Sequence, residues 1–483
     1  MPKTSATRIL PNMDLASVGQ RSGRYVNMDI PLTGLSSSGV TLVGAQSQNL
    51  LFTLPDTVYN LSKSTITYNY QIVAPADRWL NIYEDTLGLE LASGITFYPN
   101  QGTNLVQLTN PAMYAKIMPK LDTPLDVFQS LDDSQGLHEP NGSVNVVPVL
   151  VQPQAGNSYA LPAAATNSAL SLAQPLYVRT PAAGTAAAAT YTVRRCVPLG
   201  LMTGTIFALV HDQYFGGVMN LSIATAPVSQ FGFCNATAIW TGGATALDTG
   251  LPNAANVVLS NIYLNLAVQD DQLIAAEFRA LARSGKLHYQ VPYLTTLSAT
   301  LPGTGLQSAN VNISSAFGQK LKRIVNTSQF VTVPATGNGA WDISNSPIAA
   351  APYQSKITYY GTSLNGQQLQ RKTNNNCVMA STALPSNVLD DFRENRRFLQ
   401  ESCIQDVSAY QQNWFHCDSF SDRSNIPWSL SSDQIDEGYV LGLGNTQYLF
   451  TANTVAPLTV WSFIETIREI VITPSGPVWE MSQ

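Results

Sequence analysis

The stretch STITYNYQIV, residues 64–73, alternates without a break: Ile66, Tyr68, Tyr70 and Ile72 fall on one side, Thr65, Thr67 and Asn69 on the other. A period of two is the repeat of a strand with one face buried, and aromatic and β-branched side chains suit a pleated surface. The same texture returns in VRRCVPLGLMTGTIFALV, NVVLSNIYLNLAVQ, KLHYQVPYLTTLSATL, SANVNISS, QFVTVPA, EGYVLGLGNTQYLF and LTVWSFIETIREIVITP. Turns rich in Gly separate these runs, so an all-β chain of antiparallel sandwiches is expected.

Helical spacing is rare by contrast. IYLNLAVQDDQLIAAEFRALA, residues 262–282, passes from a strand pattern into a helix whose Ile274, Phe278 and Leu281 recur at i, i+4 and i+7. NPAMYAKIMPKLDTPLDVFQSLDD reads as two short helices, because Asn110 before Pro111 and Thr123 before Pro124 each set a capping side chain ahead of a first-turn proline. LPSNVLDDFRENRRFLQ reads as one longer helix, capped by Ser386, with Val388, Leu389, Phe392 and Leu399 inward.

At 483 residues and 52.1 kDa the chain is too long for one ordinary core. The order of elements restarts part-way, which predicts three segments: an N-terminal arm over 1–44, a first strand-rich unit over 45–235 and a second over 236–483, opening with NVVLSNIYLNLAVQ. Residues 134–192, with their Ala, Pro and Gly clusters, read as a long surface loop.

Charged residues make up 12% of the chain and the net charge is −6, so a globally basic nucleic-acid binder is excluded. Sparse charge suits a protein that keeps much of its surface against copies of itself, since charge is depleted from interface cores. Lys3, Arg8, Arg21 and Arg24 make the N-terminus mildly positive, which fits a solvated arm or, more sharply, an arm making weak contact with packaged nucleic acid. Cys196, Cys234, Cys377, Cys403 and Cys417 contain no CxxC pair and read as free thiols. The N-terminus lacks a signal-peptide run and no 18-residue apolar stretch is present, so a soluble chain made inside a cell, with no membrane span, is expected.

The search for chemistry returns little. GTSLNG at 361–366 lacks nucleophile-elbow spacing, and RSGKLHY and FGQKLKR lack the flanking residues of a phosphate loop, leaving solvated or phosphate-indifferent lysines. His138, His211, His288 and His416 are scattered, and His416, Cys417 and Asp418 are consecutive, so a strand points them to opposite faces. The pairs Asp132–Asp133, Asp270–Asp271 and Asp390–Asp391 have an ion-site or acid/base reading, but two of them sit by helix starts, where the dipole favours them. The sequons at Asn60, Asn220, Asn235 and Asn312 are what an Asn- and Ser-rich chain produces by chance. No catalytic, cofactor-binding or metal-binding residue is assigned, and no enzyme activity or cofactor is expected.

The order NLSKSTITYNYQIV, MPKLDTPLDVFQSL, RRCVPLGLMTGTIFALV, VVLSNIYLNLAVQ and LTVWSFIETIREIVI resembles the double jelly-roll major capsid proteins of double-stranded DNA viruses, the group of virophages, polinton-like viruses and adenovirus hexon. The resemblance spans about 45–483. It implies two consecutive jelly rolls, a homotrimeric pseudo-hexameric capsomer, and an icosahedral shell shared with neighbouring capsomers, penton and minor capsid proteins, hence location in the virion. Two other readings compete: a single jelly-roll capsid protein of a small icosahedral virus, and a carbohydrate-binding or glycoside-cleaving β protein.

Overall fold

A computed structural model describes residues 25–35, 39–43, 46–74, 79–83, 87–100, 102, 104–123, 137–138, 146–150, 175–179, 189–228, 232–235, 247–248, 256–313, 319–330, 357–364, 384–385, 416–419, 439–440, 447–454 and 457–480. In chain order it begins with β1 (Tyr25–Pro31), β2 (Val40–Val43), β3 (Asn49–Leu54), β4 (Tyr59–Ala74), β5 (Trp79–Tyr83), β6 (Ala92–Pro99), β7 (Val106–Thr109) and helix α1 (Pro111–Asp122). Next come β8 (Leu137–His138), β9 (Val146–Leu150), β10 (Pro175–Arg179), β11 (Ala189–Pro198), β12 (Met219–Thr225), β13 (Gly232–Asn235), β14 (Leu247–Asp248), β15 (Asn256–Gln269) and helix α2 (Gln272–Arg283). The last part holds β16 (Leu287–Leu301), β17 (Gly305–Asn312), β18 (Lys320–Phe330), β19 (Ile357–Leu364), β20 (Leu384–Pro385), β21 (His416–Ser419), β22 (Tyr439–Val440), β23 (Gln447–Thr454), β24 (Leu458–Thr473) and β25 (Gly476–Glu480).

Among the described residues these strands form four sheets. The first runs β1–β15–β4–β11–β8, with β2 also on β15. Its centre is β4, where Ile66, Tyr68 and Tyr70 are buried as the alternation predicts. The Tyr68 hydroxyl donates to the Gly88 carbonyl at 2.6 Å. Beside it on β11, Arg195 is fully buried and its Nε donates to Glu90 Oε1 at 2.6 Å. The second sheet has ten strands, with the path β21–β18–β24–β16–β7–β6–β12–β3 and with β22 and β25 on its flanks. Two smaller sheets follow the paths β14–β13–β5–β10–β9 and β17–β23–β19–β20.

The ten-stranded sheet is where the two parts of the chain meet. Strands up to β12 supply one side, strands from β16 onward the other, and β7 pairs β16 in parallel at Thr295 and Gln107. The remaining pairings are antiparallel, β16 and β24 matching over Leu287–Leu301 and Leu458–Ile472. One continuous core results: Tyr59 of the first sheet and Phe97 of the second meet through Phe215, and Val311 of the fourth sheet joins the same cluster.

Hydrogen bonding crosses the segment limits expected from the sequence. Strands β1 and β2 lie within the expected arm, yet β1 pairs β15 from Tyr25–Gln269 to Pro31–Tyr263. That register puts Ile30 opposite buried Leu264, so the apolar alternation of YVNMDIP, not its polar neighbours, decides its place. Strand β15, expected to open the second unit, pairs β4 of the first, for example Leu264 with Ile66. The boundary near residue 235 therefore falls inside a sheet. The expected 134–192 surface loop also contains β8, β9, β10 and the start of β11, because VVPVL and PLYVR carry the β-branched and aromatic side chains that pair well.

The helices α1 and α2 stand where helical spacing predicts them. Asp271 caps α2, accepting from Leu273 N at 2.8 Å, and Ile274, Ala275, Phe278 and Ala282 are buried while Leu281 packs beside them. Burying Ile274 and Phe278 stabilises the structure by roughly 1.5–3 kcal/mol each. At α1, Asn110 precedes the helix as expected but is left-handed (φ 54°) and makes no side-chain cap bond, while Thr123 ends the helix in extended geometry. The helices expected after Pro124 and after Ser386 lie outside the described residues.

Candidate functional site at the seam

Helix α1 follows directly on β7, so it lies at the point where the ten-stranded sheet passes from one part to the other. Its Ala112, Met113, Tyr114, Ala115, Ile117 and Met118 are completely buried. The Tyr114 ring meets Phe463 of β24 edge-on at 6.0 Å, and its hydroxyl donates to the Thr203 carbonyl at 2.6 Å. The helix ends in Asp122, a carboxylate at the negative end of the helix dipole, where a cation is needed. Arg323 of β18 supplies it: Nη1 donates to Asp122 Oδ1 at 2.9 Å and Nη2 donates to Oδ2. Its third arm, Nε, donates to Glu465 Oε2 of β24 at 2.6 Å. Lys322 Nζ donates to Glu465 Oε1 at 3.0 Å.

Adjacent strand residues normally point to opposite faces, which makes it notable that Lys322 and Arg323 reach one carboxylate. The register of β18 on β24 slips between Leu321–Thr466 and Arg323–Glu465, leaving Lys322 as an extra residue. Such a bulge turns two neighbours to the same side. Burial by itself disfavours charge on Arg323, but attraction to Asp122 and Glu465 outweighs it and lifts the pKa well above the usual arginine value. Burial likewise works to raise Glu465, yet Arg323 and Lys322 together pull it down to about 2. Two cations and two carboxylates balance here, with Arg323 and Glu465 nearly sealed from water.

The other side of the seam is aromatic. Tyr214 N donates to the Tyr289 hydroxyl oxygen at 3.0 Å, and the Phe215 and Tyr289 rings lie 6.1 Å apart. Burial pushes the Tyr289 hydroxyl far above the usual tyrosine pKa, so it stays protonated. Gly216 adopts φ 75°, and a Cβ there would run into the Thr473 backbone, so only glycine lets the two parts approach this closely.

No protein-family model and no curated protein matches the sequence. Among solved structures, the Sputnik virophage structure matches at a TM-score of 0.51 and 11% identity, over 95% of this chain and 89% of that one. The fold is a double jelly roll. The major capsid protein of mavirus matches at 0.49 and 8% identity, over 94% of this chain and 90% of that one. The VP54 protein of PBCV-1, fitted into a reconstruction of Sputnik, matches at 0.47 and 10%, over 96% and 98%.

Within the double jelly roll the residues singled out in the sequence stay apart. His138 and His416 lie in β8 and β21, of different sheets. Burial lowers the pKa of His211, and His288 packs its Nε2 against the Gly285 carbonyl and its Nδ1 3.6 Å from Glu469. Cys417 is buried in a strand, as WFHCDSF predicts, neither it nor Cys196 is in a disulfide, and the Cys196 pKa rises mainly through burial. For Cys234 only the strand is described, and Cys377, Cys403, Asp132, Asp133, Asp390 and Asp391 lie outside the described residues. Among the described residues no cluster of His, Cys, Asp and Glu forms a metal site, and no helix is long and apolar enough to cross a membrane. Asn60 and Asn220 of two sequons are buried. The solvated reading of FGQKLKR fails at its end: Arg323 is buried, and the Lys322 side chain is only 14% exposed. Its signal was in LTVWSFIETIREIVI, where a charge inside an apolar strand demands a buried partner.

Proposed function

We propose that this chain is a non-enzymatic major capsid protein. Three copies form a pseudo-hexameric capsomer, and capsomers tile an icosahedral shell with penton and minor capsid proteins. The observation that supports this reading is a double jelly roll whose two halves share one ten-stranded sheet across a closely packed seam. A unit that presents two similar sandwiches side by side gives a trimer six lobes. The partition that fits the pairing puts residues 25–269 in the first jelly roll and 287–480 in the second, with α2 between them.

The 12% charge supports burial of outer surfaces against neighbours. In the first sheet Val26 and Met28 of β1 remain 45% and 42% exposed although they share the face of buried Leu264 and Leu266. That open flank suits a subunit contact. Residues 1–24, with Lys3, Arg8, Arg21 and Arg24, are proposed to touch the packaged genome weakly.

Light scattering on the purified protein tests the first step: a particle of three 52.1 kDa chains is expected, with hexagonal outlines in negative-stain images. A stable monomer at micromolar concentration would overturn the proposal. Deleting residues 1–24 is expected to lower the DNA content of assembled particles without stopping assembly.

A further inference from the structure

We propose that the Asp122–Arg323–Glu465–Lys322 cluster is an acid-released latch that holds the two jelly rolls in one relative seating. Asp122 belongs to α1 of the first jelly roll, while Arg323, Lys322 and Glu465 belong to β18 and β24 of the second, so every bond from Arg323 to Asp122 crosses the seam. The titratable groups that face the cluster come from each element packed on it: Tyr114 from α1 and Cys417 from β21 join the four charged residues. Burial holds the Tyr114 hydroxyl protonated, so Glu465 is the group through which acid acts.

Acid acts on this site by subtraction. Protonating Glu465 removes the carboxylate that Arg323 and Lys322 both bond and leaves the two cations side by side, 1% and 14% exposed, with that shared counter-charge gone. Two like charges out of water repel and are poorly solvated, and the cheapest relief is to move α1 off β18. Glu465 has its pKa depressed from 4.5 to about 2, so its contribution is fully present above about pH 4.5 and is lost as the pH falls through about 2. The latch is therefore shut in mild acid and opens only in strong acid. The backbone ladders, including the shared ten-stranded sheet, persist while this happens, because backbone groups do not titrate. The device does not depend on whether the chain builds a shell.

Hydrogen exchange on the full-length protein, corrected for the intrinsic effect of pH, tests it. Peptides covering α1 and β18 are expected to exchange at least about tenfold faster at pH 2.5 than at pH 5, with β6 changing much less. The variant D122N/R323M/E465Q carries no charge on three of the four positions and is expected to lose that pH dependence. A second variant, Lys322→Met at the solvent margin, keeps Arg323 in place but strips Glu465 of one cation, so opening is expected at a higher pH than in the parent. Flat exchange at α1 and β18 across this range, or an onset unmoved by Lys322→Met, overturns the proposal.

Discussion

Arg195 and Arg323 are both buried arginines with carboxylate partners, but they are used differently. Arg195 binds Glu90 within the first jelly roll and lies 5.9 Å from the Tyr70 ring, so it pins the turn before β6 to the centre of its own sheet. Arg323 reaches from the second jelly roll into the first, binding Asp122 there and sharing Glu465 with Lys322. Burial of a charge is a comparable burden at both sites, and a hydrophobic pair is often no less stable. What differs is which bodies the charge connects: the first arginine shapes one sandwich and the second fixes one sandwich against the other.

The largest test of this contrast removes each guanidinium in turn. Arg323→Met and Arg195→Met are each expected to cost about 3–5 kcal/mol, because each strands a buried carboxylate. Denaturant unfolding should separate them: Arg323→Met splits the transition as the jelly rolls uncouple, and Arg195→Met shifts a single transition. Equal, single transitions in both variants would erase the distinction.

A smaller effect compares two left-handed glycines. Gly216 at φ 75° faces the Thr473 backbone across the seam, whereas Gly285 at φ 65° has open space around it. Gly285→Ala is expected to cost about 1–2 kcal/mol from backbone strain alone, and Gly216→Ala clearly more, read as the gap between their melting temperatures. Tyr289→Phe removes the acceptor for Tyr214 N and is expected to cost about 1 kcal/mol.

The mildest test concerns the first strand. Tyr25 donates to Asp212 Oδ1 at 2.6 Å, and burial, then this bond, raises its pKa from 10.0 to about 12. A raised tyrosine favours the neutral folded form, so the anchor is intact below pH 10 and weakens as the pH rises from 10 to about 12. Phenolate absorbance should lose a late-titrating group in Tyr25→Phe, with no change at the seam.

Much of this architecture could be read from residue order. The alternation at Ile66, Tyr68 and Tyr70 and the stripe at Ile274 and Phe278 set strand and helix correctly, since each pattern is local. Where the pairing goes is not local: β15 looks like a fresh start, but its partner β4 lies nearly two hundred residues earlier, and nothing within NVVLSNIYLNLAVQ distinguishes the two placements. The seam was hidden for the same reason. Glu465 stands out as a charge inside an apolar strand, but its partners do not, and only the meeting of three distant elements joins it to Asp122 and Arg323.

The bulge at Lys322 carries a consequence for how such a seam can vary. Leu321 faces Thr466 and Arg323 faces Glu465, which are consecutive on β24, so the ladder would close as an ordinary one if Lys322 were deleted in frame. The extra residue therefore adds a cation to a sealed site without displacing any other pairing. A single-codon deletion at Lys322 is expected to change the charge at the midline while Leu321–Thr466 and Arg323–Glu465 keep their pairing.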